Sequence, residues 1–294
     1  MVRIRIIRLP IIDRRAREKP VLTQNFYLRS LIKFSQVQRY FIHLAYDGTA
    51  YHGWQIQPNG LSVQQVLNEA LSTILRQPVM AHGAGRTDTG VHARQFYAHV
   101  DLEQSLMPEE CKQLVFSLNG ILPKDIAVYE VFPVEPDFHA RFSAVSRTYE
   151  YLICQRKDPF MINRVWFNTQ QLDIDMMNQG AAMLMEYKDF SCFAKTNTQV
   201  ANFNCHISSV AWEKDGPMLK FTITANRFLR NMVRAIVGTL TELGRGKITL
   251  ADLKMIIESG DRKMAGLSVP AEGLYLTHVS YPKDFRLLNS SKSG

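Results

Sequence analysis

Residues 63–75 constrain the fold more than any other stretch. Val63, Val66, Leu67, Ala70, Leu71, Ile74 and Leu75 recur at i, i+3, i+4, i+7, i+8, i+11 and i+12. That spacing lays one apolar stripe along a helix. Ser62 and Gln65 match the S-x-x-Q capping box at its start, and Pro78 marks its end. A helix with one apolar face needs a layer to cover it, and the flanking runs supply one. Arg39–Asp47 is rich in aromatic and β-branched residues and reads as a strand. Val79–Gly83 reads as a short second strand. In Val91–Leu102, Gln95, Tyr97, His99 and Asp101 point one way, and Phe96, Ala98, Val100 and Leu102 point the other. A second helix should follow, with Pro108 near its start and Gly120 just past its end. It presents Cys111, Leu114, Val115 and Leu118. Ile126–Phe132 is again a strand.

The second part repeats this order. Arg147–Gln155 is a strand with Tyr149, Tyr151 and Ile153 on one face. Ile174–Tyr187 is a methionine-rich helix whose Met176, Met177, Met183 and Met185 are expected as core filler. His206–Lys214 and Met218–Ala225 flank Asp215-Gly216, a strong hairpin signal. Arg227–Leu243 reads as a helix stopped by Gly244. Thr249–Ser259 is a short helix, and Leu274–Tyr281 is a last strand. The expected class is α+β: two ferredoxin-like β-α-β-β-α-β halves. The expected boundaries are a basic extension over 1–38, one half over 39–145, a second over 146–284, and a tail over 285–294.

The chain has 294 residues, 46% of them hydrophobic, so a sizeable core is available and global disorder is excluded. The extension holds nine Lys or Arg against two acids and so carries +7 of the net +8. Nucleic-acid binding by the body must therefore rest on local basic faces. Cys111, Cys154, Cys192 and Cys205 are irregularly spaced, which fits thiols in a reducing compartment, the cytoplasm. Cys205-His206 with Cys192 lacks a fourth ligand at zinc spacing, so no metal is expected. No apolar run approaches the length of a membrane span, so no membrane partner is expected either. Arginines interrupt Met1–Arg8 and make it a poor signal-peptide core.

Chemistry concentrates in Gly83–Ala93 (GAGRTDTGVHA), which joins two strands. Glycines let another molecule approach the main chain, and Asp88 is the loop's one carboxylate, with Arg86 two residues away. Asp88 is the candidate reacting group. Arg227, Arg230 and Arg234 are expected within about 60° of one another on the 227–243 helix. There they form either a solvated edge or a phosphate-contacting face. Tyr149 and Tyr151 are core residues or a base-stacking platform. His92 is a general base or, preferably, a hydrogen-bonding spacer. Asp88-Thr89-Gly90 matches the Asp-Thr-Gly of aspartic proteases, but that chemistry needs a second such carboxylate and the chain has no second copy.

Gly85-Arg86-Thr87-Asp88-Thr89-Gly90-Val91-His92-Ala93 resembles the active-site signature of the tRNA pseudouridine synthase A family. The likeness continues through Tyr46–Thr49, Tyr51–Gln55, Arg147–Tyr151, Asp189-Phe190, Phe228–Arg234 with Gly238, and Glu272–Leu276. It spans roughly residues 39 to 283. Residues 1–38 have no counterpart in the family pattern, Thr89 stands where alanine is common, and Asn197–Asn204 lacks a basic residue. The resemblance implies two RRM-like halves whose antiparallel sheets meet around a central cleft, and a cofactor-free, homodimeric isomerase that converts uridine to pseudouridine at positions 38 to 40 of the tRNA anticodon stem-loop. It implies Asp88 as catalytic carboxylate with three open roles: attack at C1′, attack at C6, or proton removal. Arg234 would pair with Asp88, Tyr149 would stack on the target base, and Arg86 would help displace the nucleotide. Leu274, Arg227 and Arg230 are further candidate substrate contacts. The competing expectation is a tRNA-binding or chaperone protein of the same fold without turnover.

Overall fold

Strand β1 (Gln38–Tyr46) sits at the centre of the first half, with Phe41, Ile42 and Leu44 fully buried. The computed structural model describes residues 37–196, 201–283 and 285–286. The basic extension up to residue 36, most of the 285–294 tail and part of the 197–204 loop lie outside the described residues, and the expected start of the first half moves up to Gln38, the first residue of β1. After β1 come α1 (Val63–Leu75), β2 (His82–Gly83), β3 (His92–Leu102), α2 (Pro108–Ile121) and β4 (Ile126–Val134). The second half holds β5 (Ser146–Cys154), β6 (Trp166–Phe167), α3 (Ile174–Met183), β7 (Ile207–Asp215) and β8 (Met218–Ala225). It closes with α4 (Met232–Gly244), α5 (Leu250–Ser259) and β9 (Leu274–Ser280). The chain is a mixed α+β fold with a mostly antiparallel sheet.

The strands do not stop at two separate sheets. They run in one path, β4-β1-β3-β9-β5-β8-β7, with β2 added to β3 and β6 to β5. The seam is a parallel contact of β3 with β9, through His92 opposite Tyr275 and Ala93 opposite Leu276. Strand periodicity says nothing about which edges pair across halves, so the expectation of sheets merely facing each other missed this continuity. A core lies on each side of the seam, and β9 serves both. Leu274 packs with Phe221, Val233 and Ile236 in one cluster. Leu276, Val279 and Tyr281 pack with Phe41, Leu67 and Phe96 in the other.

Several local expectations need correction. Ser62 Oγ accepts from Gln65 N at 3.2 Å, but the Gln65 side chain turns to Glu69, so the capping box is only half made. The strand before the glycine loop is just two residues long. Asn68 and Ser72 of α1 take the N–H groups of Ala81 and Val79 that a longer ladder would have used. Gly120 lies inside α2, and the helix instead ends at Leu122, held extended by the following Pro123. Helix α3 stops at Met183 and tightens into a 3-10 turn. Met177 is fully buried, but Met185 is exposed. Gly244 is the last residue of α4 rather than its stop, and the positive φ falls on Gly246. On β3, the face carrying Tyr97 and His99 is also buried, against Tyr281, Phe285 and His139. Burial, with Arg39 and two neighbouring histidines, pushes the His99 imidazole down to about 3. Its Nδ1 accepts from Ala140 N at 3.2 Å.

Arg147, at the start of β5, ties the first half, the linker and the second half together. Its guanidinium donates to Ala84 O (3.2 Å), Arg141 O (2.5 Å), Ala144 O (3.1 Å) and Asn226 O (2.9 Å). Only a planar fork can serve four carbonyls at once. Arg147→Met should lower unfolding free energy by about 2–4 kcal/mol in urea titrations, because the carbonyls lose a charged donor. Arg147→Lys should recover less than half of that loss.

Candidate active site

The loop from β2 to β3 is seated by backbone contacts before any side chain acts. Ala84 N donates to Tyr97 O (2.7 Å), Gly90 N to Tyr51 O (3.2 Å) and Val91 N to Asp88 O (3.1 Å). Gly90 takes φ 78°, the left-handed turn that lets the chain enter β3. The 48–54 loop packs so tightly beneath that a Cβ on Gly53 would stand 2.2 Å from Thr87 O. The buried Tyr46 phenol meets Thr87 Oγ1 at 2.9 Å. Asp88 is therefore held by its neighbours on both sides, with its carboxylate only partly exposed.

Two guanidiniums from the other half face it. Arg234 Nη1 stands 3.6 Å from Asp88 Oδ2, and Arg230 Nε 3.7 Å from Oδ1. Arg234 is itself anchored, donating Nε–H to Val269 O at 2.7 Å while Val269 N returns to Arg234 O. The expectation that Arg227, Arg230 and Arg234 share one helical face is corrected. The helix begins at Met232, because Asn231 adopts φ 67° and ends the preceding irregular segment. Asparagine is one of the few residues that tolerates this conformation. Arg230 thus approaches from outside the helix and Arg234 from its first turn. Arg227 stays apart, with Nη1 3.5 Å from Asn202 Oδ1.

The space in front of Asp88 is a cavity of about 460 Å³ lined by Asp88, Thr89, Lys195, Thr196, Arg230, Asn231, Arg234 and Arg262. One carboxylate and four cations make it a place for anionic substrate. Lys195, Asn231 and Arg262 were not singled out from the sequence. Arg262 lies in a segment without periodicity, and its guanidinium shapes that segment by donating to Ala265 O, Gly266 O and Ser268 Oγ. Ser268 Oγ also receives Asn231 Nδ2.

The two tyrosines separate. Tyr151 is fully buried and donates to Pro270 O at 2.8 Å, a core residue. Tyr149 is half-buried where the two cores meet, edge-on to Phe228 at 5.1 Å. Burial first, then the Asp88 carboxylate, pushes its phenol up to about 12, so it stays neutral. Leu274 is buried at the start of β9, opposite Tyr151. Arg86 is exposed on the loop.

His92 has both ring nitrogens engaged: Nδ1 accepts from Gly48 N (3.1 Å) and Nε2 meets Glu272 O (3.1 Å). Asp47 Oδ1 lies 3.1 Å from Nδ1. The ring is 2% exposed and stacks on Tyr275 at 4.6 Å. It is a spacer across the seam, with no nitrogen left for a substrate proton. His92→Ala should lower stability by about 2–3 kcal/mol. Turnover per folded molecule should stay within a few-fold, measured by active-site titration alongside thermal unfolding. A thousandfold loss in a folded variant would make it a base.

A family model described as tRNA pseudouridine synthase matches residues 42–143 and 181–282, the two halves in turn. The tRNA pseudouridine synthase A of Porphyromonas gingivalis is 52% identical over 252 residues, covering 85% of this chain and 99% of that protein. The protein of the same name from Parabacteroides distasonis is 49% identical over 251 residues, with coverage of 84% and 98%. The one from Thermoanaerobacter pseudethanolicus is 40% identical over 242 residues, with coverage of 82% and 98%. The chain belongs to the tRNA pseudouridine synthase family.

Proposed function

We propose that this chain isomerises uridine to pseudouridine in tRNA, with Asp88 as the catalytic carboxylate. The observation that carries the assignment is Asp88 set between Arg230 and Arg234 at the mouth of a cationic cavity. The reaction breaks the bond from C1′ to the uracil nitrogen, turns the base and forms a bond from C1′ to C5. The C5 proton leaves to solvent, the nitrogen freed from C1′ takes up a proton in its place, and every other atom is kept. Such a reaction needs one well-placed carboxylate and a site that holds the detached base.

The two guanidiniums, at 3.6 and 3.7 Å, hold the Asp88 carboxylate in place and aim it. Tyr149, neutral and half-buried beside it, offers an aromatic face to the target uracil. The base must leave its stem or loop to arrive there, at about a few kcal/mol. Arg86, exposed on the same loop, is suited to fill the gap. Leu274 supports the apolar wall, while Arg227 and Arg230 meet flanking phosphates. The anticodon stem-loop, positions 38 to 40, is the proposed target. The remaining elements of this reading are two ferredoxin-like halves, a homodimer and a cytoplasmic setting. Among the described residues, no helix is long and apolar enough to cross a membrane.

Tritium release from tRNA carrying 5-tritiated uridine tests the assignment. The unmutated protein should release label and Asp88→Ala should release none. Arg234→Met should be slower by about 10²–10³, the usual cost of one preorganised electrostatic partner. If Asp88→Ala keeps pace with the parent, Asp88 is not catalytic. If tRNA binds and the parent releases nothing, the chain is the non-catalytic tRNA-binding alternative.

A further inference from the structure

The linker between β4 and β5 carries a second feature that the proposed chemistry does not use. Residues 139–143 form a turn whose backbone is fixed from within. Ser143 N donates to His139 O (2.9 Å), and His139 N to Ser143 Oγ (2.9 Å). Arg141 N and Phe142 N both point at His139 Nδ1, at 3.0 and 3.4 Å. The turn is also fixed from outside. Ala140 N donates to His99 Nδ1, Tyr281 OH donates to Ala140 O (2.6 Å), and Arg147 Nη2 donates to Arg141 O.

At the tip of this braced turn, Phe142 is 74% exposed. The Arg141 guanidinium lies 5.4 Å above its ring, and the His139 ring is 4.4 Å away. An outward aromatic on a fixed backbone is pre-organised for a partner that covers the ring, since little ordering is left to pay on binding. The location says which partner. Arg147 Nη2 donates to both Arg141 O and Ala84 O, so the turn abuts the start of the loop that carries Asp88 and the exposed Arg86. The nearest linker acid, Asp137, adds its field to Arg39, which already pairs with Asp101. The surface offered beside the site is therefore an aromatic ring with one guanidinium over it.

We infer that Phe142 and Arg141 form a second RNA contact beside the active site. An unpaired base of the substrate stacks on the Phe142 ring, and the adjoining phosphate meets Arg141. The inference rests on the reading that this chain acts on tRNA. Base-on-aromatic stacking and arginine-to-phosphate contact are the sequence-tolerant means by which proteins hold unstacked RNA.

The test uses the full chain and intact tRNA. Because Phe142 is outside both cores, its variants should fold, with unchanged thermal midpoints. Phe142→Ala should raise KM in tritium release, and Kd for tRNA, by about tenfold. Phe142→Trp should restore both. Arg141→Gln should lower the slope of log Kd against log salt by about 0.7–0.9, the signature of one lost phosphate contact. An unchanged Kd for Phe142→Ala overturns the inference. So does conversion of a dimer to monomers in sedimentation, which would assign the ring to an interface between copies. If the parent protein binds tRNA but releases no tritium, the catalytic reading fails, while the Kd comparison still decides this contact.

Discussion

One carboxylate held by two guanidiniums from the other half of the chain sets the terms for the rest of the molecule. Asp88 comes from a loop between β2 and β3, and Arg230 and Arg234 from the start of α4. Neither half carries both signs of charge at this place. An unpaired carboxylate in a narrow cleft is destabilising, and so are crowded guanidiniums. Bringing them together relieves both and leaves a site that is charged yet locally compensated. Everything that fixes the relative position of the two halves therefore also fixes this pair.

Three devices do that fixing. The β3–β9 seam makes one sheet out of two, and His92 bridges Gly48 to Glu272 across it. Arg147 gathers carbonyls from the start of the Asp88 loop, the linker and the end of β8. The 262–270 segment, shaped by Arg262, grips Arg234 through Val269 O. It lies so close to α4 that a Cβ on Gly238 would stand 1.8 Å from Leu267 O. Most of these contacts end on backbone carbonyls, so they fix the course of the main chain itself.

Much of this was legible in the chain itself, and the parts that were not share a cause. The stripe from Val63 to Leu75, the alternation along β3 and the turn at Asp215-Gly216 are local signals, and they appear where expected. The Gly83–Ala93 loop stands out in the sequence because it gathers three glycines, an arginine and one carboxylate into eleven residues. The parallel seam was not legible, since it pairs residues some 180 positions apart. The break at Asn231 was hidden because the arginine spacing of 227, 230 and 234 imitates a helix face, whereas left-handed asparagine has no periodic signature. Arg262 was missed because its partners are backbone carbonyls, to which a sequence pattern is blind. Tyr149 and Tyr151 show the same limit. Two equivalent positions on one strand separate only when the elements above them are known.

The position of β9 also has a bearing on the order of assembly. The last strand supplies Leu276, Val279 and Tyr281 to the core of the first half, and Leu274 to that of the second. A chain emerging from the ribosome begins to fold from its N-terminal side. Here, however, the first half cannot complete its core until residue 281 is available. Its unfilled groove must wait through the synthesis of about half the protein. The cleft and its charged pair thus become possible only once β9 has been made, and a chain truncated before β9 would leave both cores open rather than a working fragment.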